Sequence, residues 1–262
     1  MSPSDIAPPV AGPGTLYLVP APLDFGCDIQ VPVEDSLPAA TLRAAASLGH
    51  WVCENAKSAR ALLKRIDGMV PLAVPIQQMS IRELPREVHK KGDHGGGFDA
   101  RGLLADLQAG HDVGLLSEAG MPAVADPGSS VVRTAHDLGA SVVPLVGPVS
   151  LLLALAASGL GGQDFAFTGY LPQDAEARRQ RIRDLEGLAL KRGQTQIVIE
   201  TPYRNDAVLQ ALVQTLQPNT RLAVASGLTL PQAQISSRSV KGWRALPERA
   251  MGKLPAVFAF GR

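Results

Sequence analysis

The stretch VGLLSEAGMPAVADPGSS, Val113–Ser130, joins a short apolar run to a segment rich in glycine and proline that carries two carboxylates. The apolar run Val113–Leu116 predicts a buried β-strand. Pro122 and Pro127 have no backbone N–H, and the glycines permit tight bends and the close approach of a ligand to the main chain. The stretch therefore predicts a strand that enters a rigid, ligand-holding loop, although an ordinary strand-to-helix connection has the same pattern.

Around this stretch, short apolar runs typical of strands alternate with segments whose apolar residues recur at helical spacing. The runs predict strands over Thr15–Val19, Trp51–Cys53, Val70–Ile76, Val113–Leu116 and Val142–Val146. Helices are predicted over Leu37–Leu48, Ala56–Arg65, Phe98–Ala109 and Ser129–Leu138. This alternation indicates a mostly parallel sheet that is covered on both faces, with ligands outside the carboxyl ends of its strands.

The second half of the chain also mixes strands and helices, but with longer stretches between the strands. Strands are predicted over Phe165–Thr168, Gln196–Glu200, Arg221–Ala225 and Ala256–Phe260, and helices over Ser150–Ser158, Ala175–Leu190 and Asn205–Leu216. A chain of 262 residues is long for one minimal domain. We therefore predict a flexible lead-in over residues 1–13 and two α/β domains, 14–146 and 147–262, with a site in the cleft between them.

Composition narrows the function classes. A formal net charge of +1 gives no global field that would attract nucleic acid or an anionic membrane. We expect reduced thiols at Cys27 and Cys53, because they lack the spacing of a zinc site. His89, Asp93 and His94 could bind a metal, but the flanking glycines leave them unoriented, so we predict none. The start of the chain does not resemble a signal peptide, and we expect a cytoplasmic protein without a membrane segment.

Several common catalytic motifs are missing from the sequence. No GxGxxG follows the first predicted strand, and no GxxxxGK[ST], HExxH or GxSxG occurs. The usual dinucleotide-binding, P-loop, zinc-protease and hydrolase interpretations are therefore disfavoured.

Four segments instead occur in an order that resembles the tetrapyrrole methylase superfamily. It is most similar to the S-adenosylmethionine-dependent methyltransferases of the small-subunit ribosomal RNA 2′-O-methyltransferase I type. The segments are Ser117–Gly128, Val131–Leu160, FTGYLP at 167–172 and ETPYR at 200–204. The resemblance implies two α/β domains with S-adenosylmethionine in the cleft between them, and a homodimer.

The resemblance also implies which residues contact the cofactor. They lie at the ends of predicted strands, at the start of the last strand or at the start of one helix: Pro20, Glu118, Ala119, Gly120, Met121, Pro122, Ala123, Val124, Val149, Ser150, Glu200, Pro255 and Ala256. Adenine needs apolar walls and backbone hydrogen bonds, and a sulfonium cation tolerates nearby carboxylates. Glu118 stands where this branch usually has Asp, which preserves the charge. Ser150 has a second interpretation, since its hydroxyl could simply cap a helix.

On the acceptor side, a hydroxyl group needs a base to take its proton. Glu54 is the candidate catalytic residue, although a solvated or helix-capping carboxylate is an alternative. Asn55 replaces the second acid of the branch, and Ser226–Leu230 replaces its charged segment. Tyr203 and Arg204 could stack on or pair with a substrate base, or could pack at a helix start.

We therefore expect a methyltransferase that acts on a ribose oxygen of small-subunit ribosomal RNA. A tetrapyrrole or other small-molecule acceptor is an alternative, as is a noncatalytic protein that binds the cofactor and regulates a partner. A group of basic residues faces RNA or forms a solvated helix surface: Arg178, Arg179, Arg181, Arg183, Lys191 and Arg192.

Overall fold

The computed structural model describes residues 12–91, 93, 97–247 and 250–262. Most of the predicted lead-in therefore lies outside the described residues, as does His94. The chain separates into two compact units. Among the described residues, the first unit comprises those up to Phe25 and those within Pro32–Pro148, and the second comprises those within Gly26–Val31 and Val149–Arg262.

The first unit is built on a parallel five-stranded sheet of order β3-β2-β4-β1-β5. Its strands are β1 Thr15–Val19, β2 His50–Cys53, β3 Ser80–Glu83, β4 Val113–Leu116 and β5 Ser141–Pro144. Its helices are α1 Ala39–Ser47, α2 Ala56–Asp67, α3 Arg86–Lys91, α4 Ala105–Gln108 and α5 Ser129–Asp137. Every residue of β4 is buried, because this strand is central and has helices on both sides.

Both faces of this sheet are covered, as predicted. Trp51 and Cys53 of β2 pack into one hydrophobic core with residues of α1 and α2. Val52, which points the opposite way, packs into a second core with Leu104 and Ala135. Gly114 of β4 is required by the first core, because an added Cβ would lie 2.5 Å from two ring atoms of Trp51.

The third strand of this sheet was predicted at the wrong place. Residues 70–76 form no strand; the third strand is β3, Ser80–Glu83, which pairs with β2. Pro71 and Pro75 remove two of the donors that a strand needs over 70–76. The predicted helix Phe98–Ala109 is also shorter, since a 3-10 helix over Arg101–Leu104 leads into α4.

The second unit contains a mixed sheet of order β6-β7-β10-β8-β9, in which only β6 and β7 are parallel. Its strands are β6 Phe165–Tyr170, β7 Thr195–Glu200, β8 Arg221–Ser226, β9 Gln234–Ser239 and β10 Ala256–Gly261. Its helices are α6 Ser150–Ser158, α7 Ala175–Arg192, α8 Asn205–Thr215 and α9 Val240–Arg244. The prediction of an α/β architecture in both halves is confirmed, but β9 and α9 were not predicted.

A bilayer crossing requires a long apolar helix. The helices within the described part of the chain include none that meets this requirement.

Candidate functional site

The loops that follow β1 and β4 are joined through their backbones. The Ala21 N–H donates to the Gly120 carbonyl at 2.9 Å, and the Gly120 N–H donates to the Ala21 carbonyl at 3.0 Å. Gly120 has a φ of +73°, which favours glycine. Pro20, buried at the end of β1, packs so closely against Gly147 that an added Cβ there would lie 2.3 Å from its ring. The loops that contain Pro20 and Gly120 therefore lie side by side at the carboxyl edge of the parallel sheet.

The β4 loop, defined as residues 117–128, has an unusual backbone. Ala123 and Ala125 have φ values of 64° and 67°, in the left-handed region that non-glycine residues rarely adopt. This conformation costs roughly 1–2 kcal/mol for each residue. Such strain clusters at functional sites, where the loop shape is itself required. The tight turns of the predicted loop are therefore present in the structure.

Three carboxylates lie at this edge of the sheet. The Glu118 N–H donates to Oε1 of Glu54 at 3.2 Å, and the Ser58 hydroxyl donates to Oε1 of Glu118 at 3.2 Å. Burial, and after it the negative charges of Glu54 and Glu118, raises the pKa of Asp126 from its ordinary value of 3.8 to about 7. The site therefore carries concentrated negative charge, which a bound cation would stabilise.

The position of Glu54 does not support the helix-capping alternative. Helix α2 begins after Asn55, whose Oδ1 accepts from the N–H groups of Lys57 and Ser58 at 2.9 and 3.3 Å. The Ala56 N–H donates to Glu83 at 2.6 Å. Because other side chains cap α2, the Glu54 carboxylate extends to the β4 loop instead.

Asp93 holds the start of α5, immediately after the β4 loop. Its carboxylate is buried and accepts hydrogen bonds from the Gly128 N–H at 3.1 Å, the Ser130 N–H at 2.7 Å and the Ser129 hydroxyl at 2.9 Å. The Ser130 hydroxyl also donates to it. Burial raises the pKa of Asp93, but the hydrogen bonds from Ser130, Ser129 and Gly128 outweigh this effect and hold the pKa below its ordinary value.

Sequence reasoning assigned Asp93 only to a possible metal site with His89 and His94. Among the residues that the structure describes, no group of three or more His, Cys, Asp or Glu side chains could hold a metal ion. His94 and the side chain of His89 fall outside that set. No local pattern in the sequence indicates that Asp93 holds the start of α5, because Gly128 and Ser130 lie 35 and 37 positions away from it.

In the second unit, the residues predicted for the cofactor lie at two places. Val149 is the N-cap of α6 and Ser150 is its first residue, so the interpretation of Ser150 as the N-cap is wrong. Ala256 begins β10 and is paired with Glu200 of β7 on one side and with Ser226 of β8 on the other. The Pro255 carbonyl accepts from the Gly227 N–H at 3.0 Å, and the side chain of Glu200 is only 1% exposed.

The two acceptor-side candidates of the second unit have different surroundings. Nη2 of Arg204 lies 3.2 Å from Oε2 of Glu200 and donates to the carbonyls of Leu171 and Pro172. Tyr203, on the 3-10 helix Pro202–Arg204, is 88% exposed. Arg204 therefore has structural partners, whereas the ring of Tyr203 faces solvent.

The basic residues of α7 also divide into two groups. Arg179 and Arg183 pair with Glu176 at 2.6 and 3.3 Å, which agrees with a solvated helix surface. Arg178 instead donates to the carbonyls of Pro172 and Gln173. Arg178 is half-buried and forms no ion pair with a carboxylate among the described residues.

Comparisons with known protein families and with curated proteins identify relatives of this chain. Residues 38–241 match the family described as Tetrapyrrole (Corrin/Porphyrin) Methylases. The Ribosomal RNA small subunit methyltransferase I of Mesorhizobium japonicum is 34% identical over 82% of this chain and 63% of that protein. The protein of the same name from Escherichia coli O157:H7 is 30% identical over 93% of this chain and 71% of that protein.

A solved structure, that of the methyltransferase CobJ, covers 96% of this chain and 94% of its own, with a TM-score of 0.57 and 19% identity. This likeness shows the fold alone. The chain spans less than two thirds of the length of the Mesorhizobium protein, at 63%.

Proposed function

Because the chain belongs to the tetrapyrrole (corrin/porphyrin) methylase family, we propose that it transfers a methyl group from S-adenosylmethionine to a ribose hydroxyl of small-subunit ribosomal RNA. The observation that carries this proposal is the pair of joined loops after β1 and β4, with strained, side-chain-poor backbone and three carboxylates. The names of the curated relatives support the RNA acceptor.

The residues present fit this cofactor. A sulfonium cation is compatible with nearby negative charge, and Glu54, Glu118 and Asp126 lie at the same edge as the small residues of the β4 loop. Two buried hydroxyls, those of Ser117 at the end of β4 and Ser226 at the end of β8, have no hydrogen-bond partner among the described residues. Such unpartnered groups are costly unless a ligand or water pairs with them.

The two units have distinct roles in this proposal. In the first, Pro20 and residues 118–124 are proposed to hold the donor through backbone groups. In the second, the cofactor contacts that the resemblance implies are Val149, Ser150, Glu200, Pro255 and Ala256. When bound, S-adenosylmethionine supplies an already activated methyl group on its sulfonium. The chain therefore has to align the donor and acceptor and to exclude water.

The acceptor hydroxyl also has to lose a proton. We assign Glu54 as the proton acceptor, because its carboxylate is held at the β4 loop by the Glu118 N–H. Asp126 is a second candidate that the resemblance did not single out. With a pKa of about 7, it can take up or release a proton near neutral pH. On the acceptor side we place Tyr203, with Arg204 next to it.

We further propose a cytoplasmic homodimer. The outer face of α6 exposes only apolar side chains over two turns: Leu152, Leu153, Ala156 and Ala157. A helix face of this kind is usually covered by another protein surface. Light scattering on the purified chain tests this directly; a mass of one chain at micromolar concentration contradicts the homodimer.

The acceptor is tested by methyl transfer from labelled S-adenosylmethionine to the 30S subunits of a strain that lacks this protein. We expect label in the small-subunit RNA, at a ribose that resists alkaline cleavage. The family description favours a second candidate, a tetrapyrrole acceptor. Label in a low-molecular-weight fraction of the cell extract supports that candidate, and binding of the donor without any transfer supports a noncatalytic regulator.

A further inference from the structure

Tyr203 and Tyr170 present two exposed aromatic rings at one edge of the second sheet. Tyr203 is 88% exposed and Tyr170 is 56% exposed. Tyr170 ends β6, and Tyr203 follows the end of β7, the strand parallel to it. The carboxyl ends of adjacent parallel strands lie side by side, so the last residue of β6 and the 3-10 helix after β7 are neighbours at this edge.

The backbone beneath these rings is held firmly. Nη2 of Arg204 donates to the Leu171 carbonyl at 3.2 Å and to the Pro172 carbonyl at 3.3 Å, which ties the two loops together. The same nitrogen lies 3.2 Å from the buried Glu200 carboxylate. Tyr203 therefore lies on a 3-10 helix that begins with Pro202 and that the contacts of Arg204 hold in place.

Positive charge borders the rings. Arg178 binds the carbonyls of Pro172 and Gln173 at 3.2 and 2.9 Å, in the loop that follows Tyr170. Arg181, one turn further along α7, is exposed. Aromatic rings next to guanidinium groups form the surface on which proteins stack unpaired nucleobases while contacting the phosphates.

We propose that Tyr203 and Tyr170, here called the tyrosine ledge, stack an unpaired nucleobase of the RNA substrate, while Arg178 and Arg181 face the adjoining phosphates. This inference rests on the proposed function for its RNA substrate. A protein partner fits the ledge less well, because a stable protein interface buries roughly 1,600 Å² in total and two rings bordered by arginines offer far less apolar area. Because Arg204 pairs with Glu200 and binds the Leu171 and Pro172 carbonyls, we assign it a structural role beneath the ledge.

The test measures the affinity of single-stranded RNA. A fluorescein-labelled single-stranded heptanucleotide and a blunt-ended RNA duplex are titrated with the wild type, Tyr203→Ser, Tyr203→Phe and Tyr170→Ser, and anisotropy is recorded. We expect Tyr203→Ser to weaken single-strand binding about tenfold and Tyr170→Ser to weaken it by several-fold, because each removes a stacking ring. Tyr203→Phe keeps the ring and should bind within about twofold of the wild type.

Phe165→Ser is the matched control, since Phe165 is 40% exposed at the opposite end of the same strand as Tyr170. It should leave RNA affinity unchanged. Base stacking on the ledge is contradicted if Tyr203→Phe and Tyr203→Ser lose RNA affinity equally. It is also contradicted if Phe165→Ser loses as much affinity as Tyr203→Ser. A change of oligomeric mass in Tyr203→Ser also overturns it, by making this surface an interface between copies. Donor affinity is measured on the same samples, so a failure of S-adenosylmethionine binding contradicts the proposed function separately from the ledge.

Discussion

Ala21 and Gly120 exchange two backbone hydrogen bonds, at 2.9 and 3.0 Å, although they are about 100 positions apart in the chain. This pairing extends the contact between β1 and β4 beyond their strands and fixes the loops that follow them. An added Cβ at Gly120 would lie 3.3 Å from Leu23 and 3.6 Å from the Pro148 carbonyl. The loop geometry therefore depends on glycine at this position.

Gly120→Ala should weaken the binding of S-adenosylmethionine by about tenfold, which corresponds to about 1.4 kcal/mol. The matched control is Gly139→Ala, because Gly139 has nearly the same φ, +72° against +73°, but an added Cβ would meet nothing within 4 Å. Both variants carry a similar backbone cost, roughly 1–2 kcal/mol of stability. Equilibrium dialysis of labelled donor measures the difference; equal affinities for the two variants contradict a donor site at the β4 loop.

The stability of the chain should depend on pH through Asp126. Its pKa rises from 3.8 to about 7 on folding, so between these values the folded chain binds more protons than the unfolded chain. The free energy of unfolding therefore falls as pH rises through this window. Asp126→Asn removes this dependence, and its stability relative to the wild type should increase from about pH 4 to about pH 7 and then level off.

Urea unfolding at a series of pH values measures this effect. Glu118→Gln provides a check on the cause, because it removes one of the two charges that raise the pKa of Asp126. In that background, the gain from Asp126→Asn should level off at a lower pH. If the stability gained by Asp126→Asn is independent of pH, the raised pKa of Asp126 in the folded chain is contradicted.

Sequence and structure agree best where the apolar signal is strongest. The run Val113–Leu116 predicted a buried strand because a central parallel strand is apolar on both faces, and the structure has the same bounds for β4. Two of the edge strands, β3 and β9, lack this signal. Ser80–Glu83 and Gln234–Ser239 are largely polar and exposed or half-buried, and neither was predicted.

The candidate site likewise contains features that the sequence predicts and features that it does not. The β4 loop could be identified from its glycines, prolines and carboxylates, since these determine local backbone geometry. The roles of Asp93 and Arg204 could not, because each depends on partners brought together only by folding. Gly128 and Ser130 lie far from Asp93 in the sequence, and the Leu171 carbonyl lies 33 positions from Arg204.

Asp93→Ala should destabilise the first unit by about 1–3 kcal/mol, because the buried N–H groups of Gly128 and Ser130 lose their acceptor. Asp93→Asn keeps one oxygen acceptor. Its free energy of unfolding should therefore lie between those of Asp93→Ala and the wild type. The control is Asp137→Ala, which removes an exposed carboxylate at the other end of α5 and should change stability by less than about 0.5 kcal/mol. Chemical unfolding distinguishes them, and equal stabilities of the two alanine variants contradict the assigned role of Asp93.

Arg204→Met should destabilise the second unit by about 3–5 kcal/mol, because it leaves the Glu200 carboxylate buried without its cation. Adding Glu200→Gln to this variant removes the buried charge and should recover part of the loss. The double-mutant cycle, measured by urea unfolding, therefore gives a coupling between the two residues. Additive effects of the two substitutions contradict the pairing.

Calorimetric titration of the purified chain with S-adenosylmethionine tests donor binding directly. We expect saturable binding of one donor molecule per chain. An absence of binding at millimolar donor would contradict it.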